Sequence, residues 1–441
     1  MTNTILERDL KHIWHPCGQM KDYASFKPLV IKSAHGSYIK LTDNSKVIDA
    51  TSSWWCKNLG HGHPRLKIAL LKQTNKFEHV IFANTTNKII VELSEKLASL
   101  TKSLDKVFYA SEGSSAVEIA IKMSLHSRKI TAEKNRIKFM ALRNSYHGET
   151  GLALSATDID LYCKPYTELL IPFHFIQNIP YVHSKSDALW QDCSKYWSEV
   201  LAELNIHKDK LTAIIVEPIV QGAGGMLIYS QDFLKRLRIW TKKHNIHLIA
   251  DEIMTGFGRT GTSFAFQHAN IEPDFVCIAK GLTAGWLPMS AVLTTSNIYN
   301  IFYDDFAKNK SFLHSHTHSG NVLAAAVALE NLKILEEENI YDQVNKTEPL
   351  LYNLMLDVSN ETKRLQNIRH IGAIVAADLV LSKQQKHQRY GYKIFQEATK
   401  LGAFMRPLGN TIYWLPPLNI KQSTLMHLSE ITSRAINEVF A

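Results

Sequence analysis

The stretch from Ile246 to Trp286, IHLIADEIMTGFGRTGTSFAFQHANIEPDFVCIAKGLTAGW, decides the fold. Within it one apolar run, Ile246 to Ala250, ends on Asp251 and Glu252, and a second, Phe275 to Ala279, ends on Lys280 and Gly281. Both runs have strand length and read as buried strands. A carboxylate and an amine at the ends of two such strands, with Gly256, Gly258 and Gly261 in the loop between them, must be paired or used, because isolated buried charges are costly. Two readings follow. One is an ion pair; the other is a lysine joined covalently to an aldehyde cofactor whose ring nitrogen the aspartate holds.

Outward from this stretch, the pattern strand, loop, helix repeats. Lys106 to Ala110 is a strand, Ser111-Glu112-Gly113-Ser114-Ser115 a turn, and Ala116 to Leu125 a helix, with Ser115 and Glu118 in capping-box spacing. A Gly-Ser-Ser turn that opens a helix offers backbone N–H groups, two hydroxyls and the positive end of the helix dipole, which suits a phosphate as well as a simple cap. Lys138 to Leu142 is a strand that runs into Tyr146-His147-Gly148-Glu149; Leu211 to Val216 is another, ending in Glu217-Pro218 ahead of Gln221-Gly222-Ala223-Gly224-Gly225-Met226. The helix Ser230 to His244 leads back to the opening stretch, and Leu287 to Leu293 reads as a further strand. Chemistry-bearing residues thus gather at strand ends of one mostly parallel sheet, where open α/β sheets place their ligands.

The flanks read differently. A short helix (Ile5 to Ile13), strands at Leu29 to Lys32, Ser37 to Leu41 and Lys46 to Asp49, and an Asp43-Asn44 turn suggest a small antiparallel unit. Ser52-Ser53-Trp54-Trp55 follows, and two adjacent tryptophans cannot face the same way, so one is expected in the core and the other on a cavity wall. A helix begins at Arg65. After Ser319-Gly320-Asn321 a helical region runs through Glu337, and residues 338–441 mix helices with strands at Ile374 to Val380 and Thr411 to Leu415. The expected organisation is a large domain, 51–337, and a smaller α+β domain built from 1–50 and 338–441.

Composition narrows the function classes. The chain has 441 residues, 45% hydrophobic and 21% charged, with a formal net charge of +9. Its basic residues are interleaved with acids such as Glu336-Glu337-Glu338, so no nucleic-acid partner is expected. Glu7, Arg8, Asp9 and Lys11 interrupt any export signal, and no apolar stretch has bilayer length, which points to a soluble cytoplasmic protein without a membrane partner. Five separated cysteines, none in C-x-x-C spacing, suggest reduced thiols and no zinc site. His314, His316 and His318 would share one side of a strand, but without a carboxylate or cysteine a loop or dimer-contact cluster is the simpler reading and no metal is expected.

In order along the chain, Tyr146-His147-Gly148, Glu217-Pro218, Asp251-Glu252-Ile253-Met254-Thr255-Gly256-Phe257-Gly258-Arg259-Thr260-Gly261, Ala279-Lys280-Gly281 and Gly320-Asn321 resemble the class III aminotransferases, pyridoxal-phosphate enzymes of fold type I. Ile13-Trp14-His15-Pro16, Ser52 to Trp55, Gln221 to Met226, Met405-Arg406-Pro407 and Pro416-Pro417 are similar to the branch of that class that makes 7,8-diaminononanoate in biotin biosynthesis. The resemblance implies pyridoxal 5'-phosphate as cofactor, S-adenosylmethionine as amino donor and 8-amino-7-oxononanoate as acceptor. It further implies Lys280 as the cofactor-bound lysine and catalytic base, Asp251 on the ring nitrogen, Tyr146 on the ring, and Gly113, Ser114 and Ser115 on the phosphate. Thr317 would complete the phosphate site from the partner subunit of a homodimer. Around the substrate it implies Trp54, Tyr146, Gly281, Arg259 and Arg406, the last for a distant carboxylate, while Arg259 as a loop-stabilising residue and Glu217 as a purely structural one stay open. Two departures bear on substrate: Cys17 stands where the family has tyrosine, and Glu149 where it has aspartate. The alternatives are a class III transaminase for ω-amino acids, lysine as the donor, and a non-catalytic cofactor-binding regulator.

Overall fold

Seven short apolar runs form one twisted sheet. In the computed structural model, which describes residues 4–441, they are Lys106–Ala110, Lys138–Leu142, Phe173–Ile176, Leu211–Val216, His247–Asp251, Phe275–Ile278 and Ser290–Thr294. Across the sheet the order is Lys106–Ala110, Ser290–Thr294, Phe275–Ile278, His247–Asp251, Leu211–Val216, Lys138–Leu142, Phe173–Ile176. Only Ser290–Thr294 runs antiparallel to its neighbours; every other pairing is parallel. This is the mostly parallel sheet that the alternation of strands and helices predicts.

The central strands Leu211–Val216, His247–Asp251 and Phe275–Ile278 are buried along their whole length, so their side chains must serve two cores. Ile215, Ile249, Phe275 and Cys277 pack on one face against Ala116, Val117 and Ala120 of the helix Gly113–Ile130. Ile214, Val216, Leu248, Ala250 and Val276 point the other way, into the core that holds Phe233, Leu237 and Trp240 of the helix Gln231–Lys243. Successive residues on opposite faces are the period-2 geometry of a strand. Parallel register pairs Asp251 with Cys277, three residues before Lys280, so the carboxylate and the amine emerge at the same end of adjacent strands.

The strand expected at Leu287 to Leu293 starts later, at Ser290, because Pro288 has no N–H to give a ladder. Near the N-terminus the strands are Ile31–His35, Tyr38–Leu41 and Lys46–Asp49, antiparallel in sequence, with the first displaced two residues from its expected start. A parallel strand from far along the chain, Ala403–Phe404, joins them on Lys46–Asp49. Leu365–Ile371, Ile374–Leu379 and Thr411–Trp414 make a further antiparallel sheet. Ile48 and Ala50 share a core with Leu351, Met355, Trp414, Leu428 and Ile431, so chain ends remote in sequence bury one another's apolar surface. Among the described residues no helix is long and apolar enough to cross a membrane.

Candidate active site

Lys280 leaves its strand into a tight turn, Lys280–Thr283, with φ of 32°. A positive φ costs a residue that carries a Cβ and persists where the surroundings impose it. No carboxylate lies within ion-pairing reach of its amine among the described residues; Nζ sits 4.6 Å from the centroid of the Trp55 ring. Burial lowers the ammonium pKa, with Asp251 and Glu217 acting against that shift. Asp251 is committed elsewhere. Its Oδ2 meets His147 Nδ1 at 2.7 Å, both side chains being buried, and its Oδ1 accepts the Ile253 N–H at 3.1 Å. His147 Nε2 is buried with no partner among the described residues. The structure therefore does not form the Asp251–Lys280 ion pair; it leaves the amine unpaired beside an aromatic face.

Next to this pair, the helix Gly113–Ile130 presents its first turn. The expected capping box of Ser115 and Glu118 is not formed: the helix starts three residues earlier, its N-cap is Glu112, and no side chain among the described residues caps it. Glu118 instead accepts the Thr150 hydroxyl at 2.7 Å and the N–H groups of Leu152 and Ala153 at 2.7 and 3.2 Å, capping the following helix, Gly151–Ser155. Among the described residues the hydroxyls of Ser114 and Ser115 make no hydrogen bond and stand at a positive helix end. Two close approaches tie this turn to the rest of the site. A Cβ on Gly113 would meet Ile253 Cδ1 at 3.0 Å, and one on Gly148, whose φ is +126°, would meet Ser114 Cβ at 2.6 Å. Thr317 is not brought to this cradle within the chain: it is exposed, in an irregular loop, with its carbonyl accepting from His79 Nε2 at 2.8 Å. The same loop holds the histidines outside any strand, with His314 Nε2 at 3.2 Å from His316 Nε2 and the His318 ring 5.0 Å from His79.

Tyr146 is half-buried and anchored at both ends. Its N–H donates to Glu217 Oε1 at 3.0 Å and its hydroxyl to Glu149 Oε1 at 3.0 Å. Glu217 Oε2 accepts the Gly222 N–H at 2.9 Å. Burial nevertheless pushes the Glu217 carboxyl up to about 7, against the pull of His147 and these two N–H groups. Glu252, which accepts the Thr255 hydroxyl at 2.6 Å and the Phe266 N–H at 2.8 Å, is likewise pushed to about 7 by burial.

At the mouth, the two tryptophans diverge as expected: Trp55 is 5% exposed and Trp54 48%. The cause is a strained turn in which Ser52, Ser53 and Trp55 all have positive φ. Asp49 holds it, accepting the Ser53 N–H at 2.7 Å and the Ser53 hydroxyl at 2.9 Å, while the Ser52 hydroxyl donates to the Leu415 carbonyl at 2.8 Å. Trp55 Nε1 donates to Tyr413 Oη at 3.0 Å. Arg406 lies over the Trp54 ring, 5.5 Å from its centroid, and donates to the Cys17 carbonyl. The Cys17 thiol is raised by burial and by nearby Glu149, and lowered by Arg406. Of the two departures from the family pattern, Cys17 thus meets Arg406 directly, and Glu149 acts on the same thiol.

Arg259 and Gly281 sit deeper. The Arg259 guanidinium is buried without a carboxylate, donating to the Pro416 carbonyl at 2.6 Å and to Asn58 Oδ1 at 3.3 Å, and burial pushes it down to about 9. Its Nε has no partner. A Cβ on Gly281 would fall 2.5 Å from Asn58 Nδ2, so glycine is what lets that asparagine reach Phe257 and Arg259. Sequence reasoning passed over Asp49, Asn58, the His147–Asp251 pair and Tyr162, whose ring is 5.3 Å from Tyr146. The buried Asp49 beside Ser52-Ser53 left a local trace as a carboxylate at a strand end, and His147 one as an imidazole just after a strand.

The class-III aminotransferase family model matches residues 20–436. The adenosylmethionine-8-amino-7-oxononanoate aminotransferase of Helicobacter pylori is 40% identical over 413 residues, covering 93% of this chain and 92% of its own. That of Aquifex aeolicus is 35% identical, covering 99% and 98%. The crystal structure of the Methanocaldococcus jannaschii enzyme of the same name superposes with a TM-score of 0.90 at 31% identity, covering 98% of each chain. An omega transaminase of Pseudomonas jessenii superposes equally well, 0.90 at 26% identity over 99% and 98%. The backbone is therefore common to enzymes of different substrates, and side chains at the mouth must separate them.

Proposed function

Since the chain belongs to the class-III aminotransferases, we propose that it transfers an amino group from S-adenosylmethionine to 8-amino-7-oxononanoate, giving 7,8-diaminononanoate for biotin formation. It is an aminotransferase that uses pyridoxal 5'-phosphate. The observation that carries the reading is the unpaired Lys280 amine beside an Asp251 engaged by His147. The residues present fit the cofactor: an orphaned buried His147 Nε2, free serine hydroxyls at a helix start, and an amine with no ionic partner. When bound, the pyridine ring supplies a sink for the negative charge that develops at the substrate carbon.

The roles then follow from the chemistry of each side chain. Asp251, oriented by His147, keeps the ring nitrogen protonated. Gly113, Ser114 and Ser115 would hold the phosphate with N–H groups, hydroxyls and helix dipole. Tyr146 would cover the ring, and its hold on Glu149 fixes where it lies. Lys280 Nζ, its pKa lowered by burial, holds and moves a proton as general base. Glu217 supports Tyr146 through its backbone N–H. For substrate, Trp54 and Gly281 would line an apolar channel, Arg406 would take the distant carboxylate of the keto acid, and the buried Arg259, with an unpartnered Nε, would take the donor carboxylate.

A cytoplasmic homodimer completes the reading, with a large domain 51–337 and a small one from 1–50 and 338–441. Thr317 of the partner subunit would join the phosphate site. Exposed Val80, Ile81 and Leu313 flank the loop that carries Thr317, and a second copy would cover this apolar edge. The test is to load the protein with pyridoxal phosphate and assay S-adenosylmethionine and lysine as donors to 8-amino-7-oxononanoate. Lys280→Ala should abolish turnover and shift the cofactor absorbance to that of free aldehyde. Turnover with ω-amino acids alone would defeat the substrate assignment and spare the cofactor assignment.

A further inference from the structure

We propose that Tyr162 is a specificity-determining residue of the substrate mouth, its phenol donating a hydrogen bond to the polar end of a long amphipathic substrate held between Arg406 and Glu149. The inference deepens the function proposed above and rests on it. Tyr162 lies on the short helix Asp160–Cys163. That turn is fixed by its own backbone: the Tyr162 N–H donates to the Ile159 carbonyl at 2.9 Å, and the Cys163 thiol donates to the Thr157 carbonyl at 3.1 Å. Asp160 and Cys163 line a cavity of about 370 Å³, whereas Tyr162 turns to the other side, where its ring tilts at 59° against Tyr146 with centroids 5.3 Å apart.

The neighbouring polar groups are already engaged. The Tyr146 hydroxyl already donates to Glu149, and Arg406 spends one N–H on the Cys17 carbonyl. The Tyr162 hydroxyl makes no hydrogen bond among the described residues; burial, then Cys17 and Glu149, raise its pKa and Arg406 lowers it. The mouth therefore offers a cation for a carboxylate, a carboxylate for an amine, the Trp54 face for a methylene chain, and one uncommitted phenol packed on Tyr146. A ligand that brings both a charged end and an apolar body matches all of these; a short amine would leave the phenol and Arg406 unused.

The experiment compares the holoenzyme with Tyr162→Phe, which keeps the ring against Tyr146 and removes only the hydroxyl, and with Tyr162→Leu, which removes both. The expected result for Tyr162→Phe is a KM for 8-amino-7-oxononanoate raised about tenfold or more with kcat within about twofold, as for loss of a contact equally strong in ground and transition states. Tyr162→Leu should raise KM at least as far, and quenching of Trp54 fluorescence by the keto acid should weaken in parallel. Unchanged KM in Tyr162→Phe would overturn the inference, as would a fall in kcat at constant KM, with the wild type still active. No turnover of the keto acid by the wild type would instead overturn the function on which the inference rests, and the inference with it.

Discussion

Replacing Glu217 by glutamine asks whether burial or hydrogen bonding decides the ionisation of a carboxyl at the centre of the site. Glu217 is 5% exposed, and its two oxygens accept the N–H groups of Tyr146 at 3.0 Å and Gly222 at 2.9 Å. Those donors, with His147, favour the carboxylate; burial, with Asp251, favours the acid and prevails, placing the group at about 7. In the unfolded chain a glutamate titrates at about 4.3. The folded protein thus binds a proton that the unfolded chain releases. Glu217 contributes stability that is complete below about pH 4.3 and lost as pH rises through about 7. At pH 6 the carboxyl is about 90% protonated in the fold and about 2% protonated unfolded, so unfolding frees about 0.9 proton. Glutamine has none to free. In urea unfolding of the cofactor-free protein followed by a pH-stat, Glu217→Gln should therefore release about 0.9 fewer protons than the wild type at pH 6 and about 0.1 fewer at pH 8. Glu252, also pushed to about 7, is common to both proteins and cancels. Equal release at pH 6 would refute the reasoning, because it would mean that the two N–H donors had outweighed burial.

Gly148→Ala forces a Cβ at φ +126° to within 2.6 Å of Ser114 Cβ; it should displace the helix start and weaken pyridoxal phosphate binding about tenfold or more, read by absorbance titration of the cofactor-free protein. Gly281→Ala brings a Cβ 2.5 Å from Asn58 Nδ2, and the shift of Asn58 away from Arg259 should cost about 1–3 kcal/mol, seen as a lower thermal midpoint. Arg406→Met should raise the KM for the keto acid about 10- to 100-fold, with kcat less affected in steady-state assays, as expected for losing a charge-assisted hydrogen bond. Arg406→Lys should recover little of this, because an ammonium lacks the planar fork that can serve the Cys17 carbonyl and a carboxylate together.

The order of strands and helices was legible from periodicity. Runs such as Leu211–Val216 and Phe275–Ile278 are apolar throughout because both faces of the sheet are covered, and Lys106–Ala110, Lys138–Leu142 and Leu211–Val216 begin and end where the apolar pattern does. The capping box at Ser115 misled because spacing alone cannot tell whether a glutamate caps its own helix or the next one; Glu118 found three donors at Thr150, Leu152 and Ala153. The turn that sends Trp54 outward was invisible because positive φ at three residues of Ser52–Trp55 is imposed by Asp49 and the Leu415 carbonyl, the latter 363 residues away from Ser52 in sequence.

By itself the sequence determined that a carboxylate and an amine close two buried strands. A strand end is a local property, so a lysine after Ala279 and an aspartate after Ala250 must emerge at the edge of a buried sheet wherever the rest of the chain goes. Only the tertiary structure decided what those groups do to each other. In Ile246 to Trp286 an ion pair between Asp251 and Lys280 is as consistent with spacing as any other arrangement. In the fold His147, from the loop after a different strand, takes the aspartate at 2.7 Å, and Trp55 takes the place beside the amine. The same holds at the mouth, where Cys17, the stretch that carries Glu149 and Tyr162, and Arg406 come from three separated regions of the chain. Their meeting depends on two cores and a shared sheet, and contacts of such long sequence separation leave no local periodicity to read.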